Sequence, residues 1–144
     1  MKDIKRIVIK GSSGYVPVEY AYEDKVTITP GSIAYEFKPY QETTENPSRK
    51  WKYQSNTPEF QEQFKTITES LQKVLAAPPD IQILDVGKID FEITYIDQTK
   101  ERMISPLISG WFHDLFMDIK MMVPFSEMIP PTLWTEEDEE EYED

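Results

Sequence analysis

The side chains able to do chemistry near neutral pH are few. His113 is the single histidine among 144 residues and there is no cysteine. Thiolate nucleophiles, thiolate metal sites and disulfides are therefore excluded, and a Ser-His triad has only one histidine to draw on. His113 adjoins Asp114, and a His–carboxylate pair can orient a general base. Adjacent helical residues do not face one another, however, so an exposed surface histidine is the simpler expectation. Any metal would need an all-oxygen site. Gly11-Ser12-Ser13-Gly14 offers backbone N–H groups of the kind that cradle phosphate. It lacks the following helix and the Gly-Lys-Ser/Thr ending of a P-loop, and reads as a hairpin loop. Glu19, Glu36, Asp90 and Glu92 fall on strands, where two converging carboxylates would suit acid–base or glycoside chemistry. A solvated sheet face is the simpler expectation for them. No catalytic, cofactor-binding or metal-ligating residue is assigned, and the chain is expected not to be an enzyme.

Binding candidates are of three kinds. Trp51, Tyr53, Tyr35 and Tyr40 are aromatics with polar tips that suit either a peptide or small-molecule groove or the rim of a core. Met117, Met121, Met122, Phe125 and Met128 cluster near the end of the second helix and beyond it. Methionines adapt to varied partners as readily as they fill gaps. The third kind is the run Glu136, Glu137, Asp138, Glu139, Glu140 and Glu141, part of a stretch from 136 to 144 with eight acids. That stretch is too charged to pack. It keeps a chain soluble, engages a basic partner, or is drawn to the basic first strand with Lys2, Lys5, Arg6 and Lys10. It also accounts for most of the formal charge of −12: without it, 19 acids oppose 15 bases. A net negative chain repels nucleic-acid phosphate.

The elements that must position these residues are legible from periodicity. Ile4 to Lys10 reads as a strand, closed by the glycine-serine loop. Tyr15 to Tyr22 follows with Val16, Val18, Tyr20 and Tyr22 on one face, and Glu23-Asp24 is expected to turn the chain. Lys25 to Thr29 and Ser32 to Lys38 make a hairpin whose Pro30-Gly31 pair suits a type II turn. Pro39 to Arg49 reads as a loop, and Lys50 to Gln54 as a short strand. Thr57-Pro58 is a helix start, because threonine caps and proline fits the first helical position. Phe60, Phe64, Ile67 and Leu71 then recur at helical spacing until Pro78-Pro79. Lys88 to Ile96 and Glu101 to Ile104 are two further strands. Ser105-Pro106 repeats the cap signal ahead of a second stripe containing Trp111, Phe112, Leu115 and Phe116.

The run Trp51-Lys52-Tyr53-Gln54-Ser55-Asn56-Thr57-Pro58-Glu59-Phe60 with Phe64 resembles a pattern in small uncharacterised proteins of Gram-positive bacteria of the Firmicutes and Clostridia type. So does Met122-Val123-Pro124 followed by Glu127, Pro130-Pro131, Leu133 and the acidic run. The resemblance covers most of the chain after about Lys25. It implies a bacterial, cytoplasmic, single-domain protein, and it brings no activity and no catalytic residues.

The expected fold is α+β: a mainly antiparallel sheet of five to seven strands with two amphipathic helices on one face. Residues 1–134 should form one domain and 135–144 an acidic flexible tail. Phe60, Phe64, Ile67, Leu71, Ile89, Phe91, Ile93, Trp111, Phe112, Leu115 and Phe116 should form the core. The expected function is a protein-interaction module of adaptor, inhibitor or immunity type. The alternatives are small-molecule or peptide binding in the aromatic groove and a carboxylate-based hydrolase. Expected partners are a protein, one with a basic surface if the acidic run engages it, and neither nucleic acid nor membrane. The chain is expected to be a monomer or weak dimer, without cofactor, in the cytoplasm. Ile7-Val8-Ile9 is too short for a secretory leader.

Overall fold

Runs that alternate apolar and polar residues form strands, and runs with apolar residues every three to four positions form helices. The computed structural model describes residues 3–13, 21–41, 47–76, 88–106 and 112–122. In chain order the elements are β1 (Ile4–Ser12), β2 (Tyr22–Thr29), β3 (Ser32–Pro39), β4 (Arg49–Gln54), α1 (Pro58–Ala76), β5 (Lys88–Tyr95), β6 (Lys100–Pro106) and α2 (His113–Lys120). The strands form one antiparallel sheet in the order β4-β3-β2-β1-β5-β6. The first four make a meander from β1 outward. After α1 the chain returns on the other side of β1 with the β5–β6 hairpin, so β1 lies near the middle of the sheet.

Registry carries the apolar positions of every strand to one face. Ile9 pairs with Val26 and Phe91, Ile7 with Ile28 and Ile93, and Val26 with Tyr35. All are buried, as are Ile33, Phe37 and Ile89. Both helices cover this inner face. α1 contributes Phe60, Phe64, Ile67 and Leu71, and α2 contributes Leu115, Phe116 and Ile119. Phe112 ties helix to sheet: its ring lies 5.5 Å from Phe91 and 5.6 Å from Phe116. Aromatic pairs at such distances add to the gain from buried area.

The start of α1 is capped as its sequence predicts. The Phe60 N–H donates to Thr57 Oγ1 at 3.2 Å, and Pro58 is the first helical residue. α2 spans only eight residues and its N-cap, Phe112, makes no side-chain capping bond. A helix this short is marginal alone; packing and cross-links to α1 hold it. Gln63 Nε2 donates to the Asp118 carbonyl at 2.6 Å, and Ser70 Oγ to Asp118 Oδ2 at 2.5 Å.

Four local expectations are corrected. Gly11 and Ser12 belong to β1 and not to a loop, because each pairs on both sides, with β2 and with β5. Glu23 and Asp24 do not turn the chain. They extend β2 opposite Lys38 and Phe37, with Asp24 buried. Gly31 does not take the positive φ of a type II turn; instead its N–H donates to Thr29 Oγ1 at 3.3 Å. Ser105-Pro106 does not cap a helix but ends β6 in register with Ile89 and Lys88, and α2 begins at His113. The cap signal there is local, and pairing along the sheet overrides it. The strand expected at Tyr15 to Tyr20, the core position Trp111 and the domain boundary at 134 lie outside the described residues. Every other expected core residue is buried, Phe64 and Phe112 included.

Thr57→Ala should cost about 1 kcal/mol by loss of the cap. Phe116→Ala should cost about 3–5 kcal/mol by opening a cavity where α2 meets the sheet. Urea unfolding monitored by circular dichroism measures both, and equal small losses would contradict this account of the core.

Candidate functional site on the outer face of the sheet

Because side chains alternate along a strand, burying one face turns the intervening residues of all six strands to the other. No helix among the described residues covers that outer face. It carries Arg6 and Lys10 from β1, Lys25 from β2, Lys38 from β3, Lys50 and Lys52 from β4, Lys88 from β5, and Lys100 and Arg102 from β6. Against these stand Glu23, Glu36, Asp90 and Glu92. One register row crosses the sheet as Lys50, Glu36, Lys25, Lys10, Asp90 and Ile104. The outer face thus holds nine cations and four anions, on a chain whose formal charge is −12.

Hydrogen bonding sharpens the imbalance. Arg102 forks onto Asp90, with Nε at 3.0 Å from Oδ1 and Nη2 at 2.6 Å from Oδ2. Lys100 reaches Glu92 at 3.5 Å. Glu23 Oε1 accepts a hydrogen bond from the Tyr40 hydroxyl at 3.0 Å, which raises the phenol pKa. Three of the four acids are therefore engaged. Among the described residues, the ion pairs are Lys100–Glu92 and Arg102–Asp90, and they leave Lys10, Lys25, Lys38, Lys50, Lys52 and Lys88 without a carboxylate in ion-pair reach. Lys10 and Lys25 are directly opposed across β1 and β2, an unfavourable pairing of like charges that is offset in part because each faces a carboxylate on its other side, Asp90 and Glu36. They border a shallow depression of about 540 Å³ that Lys38 and Lys88 also line, together with the carboxylates of Glu23, Asp24, Glu36 and Asp90. A second depression of about 520 Å³ lies beside it, with Lys25, Glu36, Lys50 and Lys52 in its lining together with Tyr35 and Trp51, two of the aromatics singled out in the sequence. Such a surface can bind an anionic chain by several weak, salt-sensitive contacts.

The residues singled out in the sequence are distributed differently. Trp51 and Tyr53 sit on the inner side of edge strand β4. Trp51 packs on the buried Tyr35 with centroids 5.9 Å apart, and Tyr53 on Phe60 at 6.0 Å. Tyr40 lies past the end of β3 and is 58% exposed, so it stands apart from the other three. Met117 and Met121 are exposed one turn apart on and beyond α2, whereas Met122 is buried in the core. Phe125, Met128 and the run Glu136 to Glu141 lie outside the described residues, as does Glu19. His113 opens α2 half-buried and not fully exposed as expected. Among the described residues no three His, Cys, Asp or Glu side chains are grouped to hold a metal. No described helix is long and apolar enough to cross a membrane.

Two tyrosines on the inner side are strongly perturbed. The buried Tyr35 hydroxyl lacks a hydrogen bond of proper geometry. Burial, then the nearby Asp24 carboxylate, pushes its pKa far above the ordinary phenol range. Tyr95 donates to Glu101, and burial followed by that bond lifts its pKa to about 12.

The outer-face lysines are what sequence reasoning passed over. The signal was present: the wet positions of successive strands are lysines more often than acids. It became visible only when register placed them side by side. No protein-family model matches the chain, and no curated protein matches it.

The raised tyrosine pKa values fix an alkaline limit. The folded chain keeps the Tyr95 proton to about pH 12, whereas the unfolded chain releases it near pH 10. The stability tied to neutral Tyr95 is complete below pH 10 and is lost as pH rises through about 12. Urea midpoints between pH 9 and 12 should therefore fall with rising pH, and fall less steeply in Tyr95→Phe; parallel slopes in the two proteins would contradict the assignment.

Proposed function

We propose that this chain is a non-enzymatic protein-interaction module, of adaptor, inhibitor or immunity type, acting in the bacterial cytoplasm. Its contact surface is the outer face of the sheet, and that face takes an acidic polypeptide. One observation supports the reading: nine cations against four anions are gathered on one sheet face of a chain that is strongly negative as a whole, and six of the lysines have no ion pair within 4 Å among the described residues. The excess of cations is costly to keep, and an anionic partner relieves that cost.

An acidic polypeptide fits better than nucleic acid. Glu23, Glu36, Asp90 and Glu92 interleave with the cations, which breaks up a continuous phosphate track. Single-strand binders also stack successive bases on several aromatic platforms, whereas the exposed ring bonded to an outer-face acid is the single Tyr40, held by its hydroxyl to Glu23. The aromatic-groove reading has less support: Tyr35 and Trp51 line the depression of about 520 Å³, but Tyr53 packs on Phe60 and Tyr40 lies past the end of β3. A hydrolase reading has less still, since Asp90 and Glu92 are engaged by Arg102 and Lys100.

The test uses the full chain with the eight acids of 136–144 changed to Gln or Asn, so that its own carboxylates do not compete. Fluorescence anisotropy with a labelled oligoglutamate peptide should show binding that weakens about tenfold with Lys10→Gln/Lys25→Gln and disappears at high salt. Peptide binding unaffected by the lysine changes would overturn the reading. So would tight binding of an equal-length single-stranded oligonucleotide in place of the peptide.

A further inference from the structure

An acidic ligand for the outer face is already written into the chain. Residues 136–144 carry eight carboxylates in nine positions. The face opposite the helices carries an excess of five positive charges, with Lys10 and Lys25 opposed at its middle between Asp90 and Glu36. The two features are complementary in sign and comparable in size. Thirteen residues separate Met122, the last described residue after α2, from Glu136. Extended, they span at most about 45 Å. The path from the helix layer round an edge to the middle of the outer face is shorter. It amounts to the helix-to-sheet spacing of about 10 Å plus half the width of six strands, about 12 Å, with allowance for turning the edge.

We infer that residues 136–144 bind the outer face of their own sheet across Lys10 and Lys25, so that the chain carries a built-in competitor for its partner. This rests on the reading of that face as a site for acidic polypeptides, and it adds the occupant and the regulation. Tethering makes weak contacts count. A linker of this length gives an effective concentration of the order of 1 mM, so a segment that binds with a Kd of about 100 µM when free is held closed roughly ten to one. A partner must then displace it, and binding becomes selective for ligands more acidic or better shaped than the chain's own segment. Salt opens the face by screening both halves of the contact.

Two measurements on full-length protein test this. The first compares the unaltered chain with the chain whose eight acids at 136–144 are amides, using a labelled peptide of sequence 135–144 as probe at low salt. The peptide should bind the amide variant about tenfold more tightly than the unaltered chain, and Lys10→Gln/Lys25→Gln in the amide variant should abolish the binding. Equal affinity for the unaltered and amide chains would overturn the inference while leaving the acidic-ligand site standing. Failure of the peptide and of oligoglutamate alike to bind the amide variant would remove both. The second measurement is the rate of lysine acetylation read by mass spectrometry, with Lys65 and Lys73 on α1 as internal references. Lys10 and Lys25 should be protected in the unaltered chain and released in the amide variant, independently of protein concentration. Protection that grows with concentration, with a dimer in sedimentation, would place the segment on a second copy and overturn binding in cis.

Discussion

The structure depends on one constraint: a sheet with a two-residue period can offer a continuous apolar surface on one side only when every strand is in phase. Ile7 and Ile9 of β1 anchor that phase, being paired on one side with Ile28 and Val26 and on the other with Ile93 and Phe91. A slip of one residue in either pairing would send a whole row of apolar side chains into water. Both helices then seat on the same face because it is the apolar one, and α2, short and without a side-chain cap, owes its place to Phe112, Phe116 and the bonds around Asp118. The register shift in β1, where Ile4 opposes Tyr95 and Arg6 opposes Thr94 so that Lys5 is the extra residue of a β-bulge, keeps Ile4 and Tyr95 in the core at the end of the sheet.

Everything about the outer face follows from that phase. Each apolar residue committed inward commits its neighbours outward, and here the charged ones among those neighbours are more often lysines than acids. At the edges this is a familiar safeguard, since charged edge strands resist pairing with other chains. β4 with Arg49, Lys50 and Lys52, and β6 with Lys100 and Arg102, fit that description. The interior of the sheet does not need it. Lys10 and Lys25 lie on strands already paired on both sides, where an edge safeguard has no purpose and the mutual repulsion of about 0.2–1 kcal/mol works against folding. Against a total stability of order 5–15 kcal/mol that cost is tolerable, and Asp90 and Glu36, which face Lys10 and Lys25 on their other sides, offset part of it.

The polar groups on the inner side are a different matter. Asp24, Tyr35, Tyr22 and Arg49 meet near the β2–β4 end of the core, with Arg49 over the Phe37 ring at 4.5 Å and Tyr22 stacked on Phe37 at 5.4 Å. Burial, with the Asp24 carboxylate beside it, holds the Tyr35 phenol neutral at ordinary pH, and these groups form a polar rim to the core.

Much of this was legible in residue order. Strand alternation identified the inward residues of β3 and β5, and Thr57-Pro58 marked the start of α1, because these signals act over a few residues. The core was readable for the same reason: Phe60, Phe64, Ile67 and Leu71 need only helical spacing to share a face. Where a local signal competed with pairing, pairing won: Ser105-Pro106 became the end of β6, and Gly11, Ser12, Glu23 and Asp24 were drawn into strands by neighbours on either side. The candidate site was the least legible part. Lys10, Lys25, Lys50 and Lys88 are scattered over nearly eighty positions, and nothing local relates them. Hydrophobic burial set the phase of each strand, hydrogen bonding set the register between strands, and only their combination in three dimensions turned isolated lysines into a charged surface.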